Sequence, residues 1–318
     1  GRSRECGQSA GRGRAWGRGG GQGPGGGGIM RLLHPHDYVG EVPDRLPPEV
    51  VRELSRIDPG RAWFAILEEW LAVVAAALLC EQIGSPWLYP LAVMFIGGRQ
   101  HALIVLGHDA VHFRLLPNRV ANDWVADLLL WWPVCATNVL FRRHHGAHHK
   151  YIGTDQDGNI ALWRLRRPDG SPTREWTYPK TGWQLFMKLL WRGCGLTGVV
   201  LVVLGLLRPL RLVGLGYGLL RLALLAGVVT LFAAHERLDL LVYYWLVPLC
   251  TWFIASNYMR LICEHSEVKS ERPLYALTRT TVPNWFDRVF IVPRNISYHY
   301  EHHIYPSVPF YRLPALHA

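Results

Sequence analysis

Histidines are the residues through which this chain can do chemistry. Nine of its fifteen fall in three short runs: His108-Asp-Ala-Val-His112, His144-His145-Gly-Ala-His148-His149 and His299-Tyr-Glu-His302-His303. Side chains three and four residues apart project from one helical face, and neutral imidazole is the commonest protein ligand for a transition metal. Each run can therefore aim two or three nitrogens in one direction, and together they offer more donors than one ion uses. Structural zinc closes with four ligands, usually including thiolates. Here eight or more imidazoles stand with no cysteine pattern beside them, so two ions are expected. Cys6, Cys80, Cys135, Cys194, Cys250 and Cys263 form no Cys-x-x-Cys spacing and are expected to be free thiols. Imidazole suits iron, copper, zinc and nickel alike, so spacing does not choose the metal.

The elements that must position these runs are apolar and long. Half of the 318 residues are hydrophobic, and they are gathered in stretches rather than spread along amphipathic elements. Four stretches, about 61–80, 87–106, 214–234 and 240–259, approach the ~20 residues a bilayer-spanning helix needs. The turn-rich Glu81-Gln-Ile-Gly-Ser-Pro86 separates the first two, and His235-Glu-Arg-Leu-Asp239 the last two. An all-α integral membrane fold is predicted, with four transmembrane helices as two hairpins and a helical cap carrying the histidines. Glu68 and Glu69 must sit near an interface or against protein. The stretches 124–141 and 183–207, which hold Asp127, Trp131, Trp132, Lys188 and Arg192, are expected to lie at or dip into the interface.

Basic residues set the expected orientation. Residues 113–182 contain ten Lys or Arg, whereas the two short hairpin turns carry only Arg237. The positive-inside rule then puts both termini, the central segment and all three histidine runs on the cytoplasmic side. Residues 1–29 hold 13 of the 32 glycines and five arginines against one glutamate. They are read as a disordered Gly/Arg-rich tail, or as sequence upstream of a start at Met30, with residues 30–318 forming a single membrane domain. No nucleic-acid fold follows the tail, so no nucleic-acid partner is expected.

The stretches Gly107-His-Asp-Ala-Val-His112, Arg142-Arg-His-His-Gly-Ala-His-His149 and Asn295-Ile-Ser-Tyr-His-Tyr-Glu-His-His-Ile-Tyr-Pro-Ser-Val-Pro309, in this order and with hairpins between them, resemble the histidine boxes of the membrane fatty acid desaturase superfamily. The resemblance covers about residues 60–318. The third box begins with His299, where front-end desaturases commonly carry Gln, so this chain looks less like that subgroup.

The resemblance implies two non-haem irons held by His108, His112, His145, His148, His149, His299, His302 and His303. It also implies a further ligand after the last span, for which His265 is the candidate. Its other reading is an interfacial His paired to Glu264 or Glu267. Ligating histidines usually donate their second ring N–H to a carboxylate or carbonyl. Asp109, Asp155, Asp157, Glu264 and Glu301 are candidates for that role or for ordinary solvated carboxylates, and His144 is expected beside the ligands. Asn295 is expected to hold a metal-bound water or a backbone turn. His101, two helical turns before His108, reads as a core histidine, and His34, His36, His235 and His317 as solvent-facing.

The implied reaction uses O2 and two externally supplied electrons to break an unactivated C–H bond of a lipid chain. A second hydrogen abstraction gives a double bond; oxygen rebound gives an alcohol, as in hydroxylases or ketolases of the same superfamily. Trp131, Trp132 and Trp285 are expected to line an acyl tunnel or to anchor at the interface. No cytochrome or iron–sulfur pattern accompanies the boxes, so a separate ferredoxin or cytochrome donor is expected, with Arg142, Arg143 and Lys150 available to dock it or to meet acidic lipid headgroups. The other class considered, a membrane metal transporter, predicts ionisable residues along the spans. Apart from His101, Glu68 and Glu69, these spans offer almost none.

Overall fold

The structure is a computed structural model that describes residues 46–152, 156–159, 164–166, 172–176, 178–265 and 277–318. The tail at 1–29, with Cys6, His34, His36 and Asp155, lies outside the described residues.

Among the described residues, four helices are long and apolar enough to cross a membrane. After a short helix α1 (Pro48–Leu54) come α2 (Pro59–Ile83) and α3 (Leu88–Val111). The other two are α8 (Leu215–Ala234) and α9 (Leu238–His265). Local chemistry sets their ends. Asp58 caps α2 by accepting from the Arg61 N–H at 3.2 Å, Pro59 occupies the first turn, and Gly84 closes it with a left-handed φ of 63°, a conformation that costs glycine nothing.

Burial runs along one stripe of α2, through Ala62, Ala65, Ile66, Glu69 and Val73. Its other side exposes Phe64, Leu67, Leu71, Val74 and Leu78. On α8 only Gly218 and Arg221 are buried, with leucines and valines facing outward along its length. Outward apolar faces on helices of spanning length are what a bilayer requires, since lipid rather than water meets them. The chain is an integral membrane protein. In contrast, α3 is enclosed on all sides over its C-terminal half, from Gln100 to Val111.

The remaining helices pack on and between these. They are α4 (Arg119–Ala126), running on as a π-helical turn Asp127–Trp131, and α5 (Asn138–Tyr151). A bent pair follows, α6 (Gly182–Gly193) and α7 (Leu196–Leu212), which meet at 50° around Gly195, itself at φ 93°. After α9 come α10 (Trp285–Phe290), α11 (His299–Ile304) and α12 (Leu313–His317).

Four expectations change. The second span runs on to Val111 and so contains His108, and the fourth runs on to His265 rather than ending near 259. Both extensions continue as helix because their polar residues meet protein, not lipid. The predicted all-α chain also carries an antiparallel pair of short strands, β1 (Arg164–Arg166) and β2 (Pro172–Trp176); β1 alternates Arg, Leu, Arg, and Thr173 and Trp176 are strand-favouring types. Finally, Trp131 and Trp132 are core residues rather than interfacial anchors, 1% and 2% exposed, whereas Trp285 is 73% exposed. Trp131 packs so tightly on α3 that a Cβ at Gly107 would fall 2.6 Å from its ring. Only glycine fits beside His108.

Candidate metal centre

Three helices and one helix end deliver the imidazoles. His108 and His112, four apart, leave the last turn of α3; His145, His148 and His149 lie on α5; His265 ends α9; His299, His302 and His303 lie on α11. They collect in two groups. His108, His112, His145, His149 and His302 form one, and His148, His265, His299 and His303 the other, with the ligand atoms of each group within 4.8 Å of one another.

The His-x-x-His-His spacing explains the division. On a helix the first and fifth positions of such a run share a face, while the fourth lies about 100° from the fifth. On α5, His145 and His149 enter the five-membered group and His148 the four-membered one. On α11 the assignment is reversed: His299 and His303 enter the four-membered group and His302 the five-membered one.

The nitrogen geometry fits metal ions and not a hydrogen-bonded cluster. His145 Nε2 lies 2.8 Å from His108 Nε2, 3.0 Å from His112 Nε2 and 2.9 Å from His149 Nε2. One ring nitrogen carries one proton or one lone pair, so it cannot satisfy three such neighbours. Two nitrogens each about 2.1 Å from a common ion at a right angle would stand about 3.0 Å apart. In the second group His299 Nε2 lies 2.9 Å from His265 Nε2 and 3.0 Å from His303 Nε2, and His148 Nε2 is buried with no hydrogen-bond partner among the described residues. Nitrogen-rich sets of this kind suit a transition metal.

Neighbouring groups fix the rings. His148 donates from Nδ1 to Asp157 Oδ1 at 2.9 Å, and the Asp157 carboxylate also accepts from the Asn159 N–H. That bond holds the tautomer in which Nε2 faces the pocket. His265 Nδ1 faces the Leu277 carbonyl at 3.3 Å, and His145 stacks on Phe141 with centroids 5.4 Å apart. Replacing Asp157 by Asn is expected to weaken metal binding about 10–100-fold; competitive chelator titration of the purified protein measures it, and an unchanged affinity would contradict the orienting role.

Other candidates stand apart from the pockets. His144 is exposed, with Nε2 2.8 Å from Asn159 Oδ1, so it braces the loop that carries Asp157 rather than a ligand directly. Asp109 is buried and accepts from the Phe310 N–H at 2.8 Å, tying α3 to the C-terminal segment. Glu301 accepts from Thr280 and pairs with His317, which is thus engaged rather than simply solvated. Asn295 serves a backbone turn, with φ 59° and its amide donating to the Phe310 carbonyl. His101 is buried with Nδ1 3.4 Å from Ser256 Oγ.

Arg142 is expected at the surface, to dock a donor or to meet acidic lipid headgroups. Instead its guanidinium is turned inward: Nε donates to the Val111 carbonyl and Nη2 to the Ala110 carbonyl, both at 2.9 Å, and Nη1 to Asp123 Oδ2 at 2.8 Å. It adds donors to the carbonyls at the end of α3 and so locks the first and second histidine runs together. Its place beside His144 gives no sign of this, because the partners lie 19 to 32 residues away.

Burial keeps six of the imidazoles neutral. His112 is pushed down to about 4 by burial first and by Arg114 and Arg142 second. Burial likewise holds His145, His149, His299, His302 and His303 well below the usual imidazole value. Neutral rings are the form that ligates. The sign for stability follows. The unfolded chain takes up these protons below about pH 6.5 and the fold does not, so the contribution is full above that pH and is lost progressively as pH falls below it, by at most about 1.4 kcal/mol per pH unit for each such ring. The metal-free protein should show a flat melting temperature above pH 7 and a steep fall below pH 6 in a thermal scan.

Comparison with known proteins adds the chemistry that such sites perform. A family model described as "Fatty acid desaturase" matches residues 84–318. Dihydrorhizobitoxine desaturase of Bradyrhizobium elkanii is 28% identical over 285 residues, covering 83% of this chain and 77% of that protein. Sphingolipid delta(4)-desaturase/C4-monooxygenase of Homo sapiens is 29% identical over 285 residues, 83% of this chain and 75% of that one. The sn-1 oleoyl-lipid 12-desaturase of Anabaena variabilis is 24% identical over 307 residues, 89% and 81% of the two chains.

Proposed function

The chain belongs to the fatty acid desaturase family, and from that membership we propose that it is a di-iron lipid desaturase whose irons occupy the two imidazole pockets. Membership makes it a membrane oxidoreductase acting on lipid. The single observation that carries the two-ion reading is the convergence of nine imidazoles into two groups whose nitrogens crowd to 2.8–3.0 Å; the choice of iron rests on the family. His108, His112, His145, His149 and His302 hold one ion; His148, His265, His299 and His303 hold the other. When bound, the irons supply the activation of O2 and the removal of hydrogen from an unactivated carbon.

The protein's own part is to position, seal and insulate. Asp157 and the Leu277 carbonyl keep the pocket-facing nitrogens of His148 and His265 as acceptors. Arg142 and Gly107 hold the end of α3 against α5 and Trp131, so that His108 and His145 meet. Eight of the nine imidazoles are fixed by helix position on α3, α5, α9 or α11, and His112 follows directly on the end of α3. The four spans are read as two hairpins, α2 with α3 and α8 with α9, with the shorter helices forming a cap on the cytoplasmic side. Two electrons come from a separate ferredoxin or cytochrome. Its docking face includes the exposed Arg143 and Lys150 but not the inward-turned Arg142.

The substrate is an acyl or other lipid chain. A second outcome, hydroxylation, is kept because the human relative's name couples desaturase with C4-monooxygenase. Mass spectrometry of lipids from a host expressing the chain, beside a His148→Ala control, tests the proposal. Products two mass units lighter that vanish in the control are expected. Products sixteen units heavier would assign hydroxylation, and an unchanged profile from folded, iron-loaded protein would overturn the reading.

A further inference from the structure

The two pockets are unequal, and the difference points to a carboxylate. One group has five imidazoles and the other four. Beside the smaller lies Glu264, next to His265 at the end of α9 and only 3% exposed. Its Oε1 accepts from Arg260 Nε at 2.6 Å. Its Oε2 is buried with no hydrogen-bond partner among the described residues, 3.6 Å from His299 Nε2. That nitrogen is the one against which His265 and His303 converge.

An acceptor sealed from water without a donor costs about 1–3 kcal/mol, and more when charged. The arginine on Oε1 does not remove that cost, because an ionised carboxylate has about four lone-pair sites. With His299 Nε2 turned to the pocket as a lone-pair donor, it and Oε2 stand 3.6 Å apart as two acceptors, an arrangement that a cation between them stabilises. Resting on the reading that this pocket holds iron, we infer that Glu264 is its anionic ligand, supplying through Oε2 the fifth donor that the four imidazoles lack. Arg260 is a positioning residue: it holds Oε1 so that Oε2 stays turned toward His299. The consequence is an asymmetric pair, with one ion among neutral nitrogens and the other carrying a hard, negatively charged oxygen donor.

The test uses the full chain in detergent, loaded anaerobically with ⁵⁷Fe, with iron per chain and the Mössbauer spectrum as readouts. Glu264→Gln is expected to hold half the wild-type iron or less, as does His299→Ala. Arg260→Gln, which removes only the partner of Oε1, is expected to keep more than half. Wild-type iron content and an unchanged spectrum in Glu264→Gln would overturn the inference, as would equal losses in the Glu264 and Arg260 variants, which would mark a mere ion pair. Should Glu264→Gln not fold, Glu264→Asp retains the charge but draws it back by one methylene; an iron affinity at least 10-fold weaker supports ligation and an unchanged affinity overturns it. Full iron retention by His299→Ala would instead overturn the two-pocket reading itself.

Discussion

Replacing His145 with alanine is expected to lower bound iron to half the wild-type value or less and to cut desaturation more than ~100-fold. Losing a residue that only orients a ligand costs about 10–100-fold, and His145 is placed more centrally than that. Its Nε2 is the atom approached by His108, His112 and His149 at 2.8 to 3.0 Å, so its removal opens the middle of the five-membered group. The fold should survive, because the ring's other neighbours, Phe141 and the end of α3, are held independently by Trp131 and Arg142. Iron analysis and product mass spectrometry on the same preparation check both halves of the statement. Undiminished iron with lost activity would separate His145 from metal binding.

Glu69→Gln is expected to have the largest effect on stability, a loss of about 3–5 kcal/mol, although Glu69 touches no histidine. Its carboxylate is fully buried between two guanidiniums, with Arg99 at 3.2 Å and Arg294 at 2.5 Å. The neutral amide leaves two cations with little to offset their desolvation; Glu68, half exposed, still reaches Arg294 but not Arg99. Arg294 also donates to the Ala65 carbonyl, and Arg99 to the Val289 carbonyl. This cluster therefore pins the segment entering the third histidine run onto α2 and α3. Arg294 and Asn295 both adopt left-handed backbone, at φ 56° and 59°, a conformation that non-glycine residues hold only when surroundings impose it. Thermal unfolding in detergent should show the loss, with weaker iron retention as a secondary effect; a change below about 1 kcal/mol would contradict it.

What could be read from the chain, and what could not, divides by range of interaction. The nine histidines assigned from spacing and family likeness are the ones the structure gathers, because i, i+3 and i+4 offsets act within one helix. The four long apolar helices were legible because lipid imposes length and composition residue by residue. Contacts that join distant segments carried no local signal. Arg142 looked like a surface charge and proved to be a donor to the end of α3, Glu69 looked like a blemish in a span and proved to be the hub of a buried cluster, and Asp109 looked like a histidine partner but holds Phe310. Asp157 was one carboxylate among several candidates until the loop brought it to His148. The second and fourth spans run beyond their apolar stretches for a related reason: hydropathy falls where protein, instead of lipid, begins to surround the helix.

The opposed assignment of the two His-x-x-His-His runs has a thermodynamic outcome. Neither pocket belongs to one helix, since α5 and α11 each reach into both. On the proposed two-ion reading, the first ion to arrive immobilises side chains and helix axes that the second also needs, and the ordering entropy spent on one event is spared in the next. Loading is then expected to be positively cooperative, with half-filled protein the least populated species in a metal titration followed by native mass spectrometry.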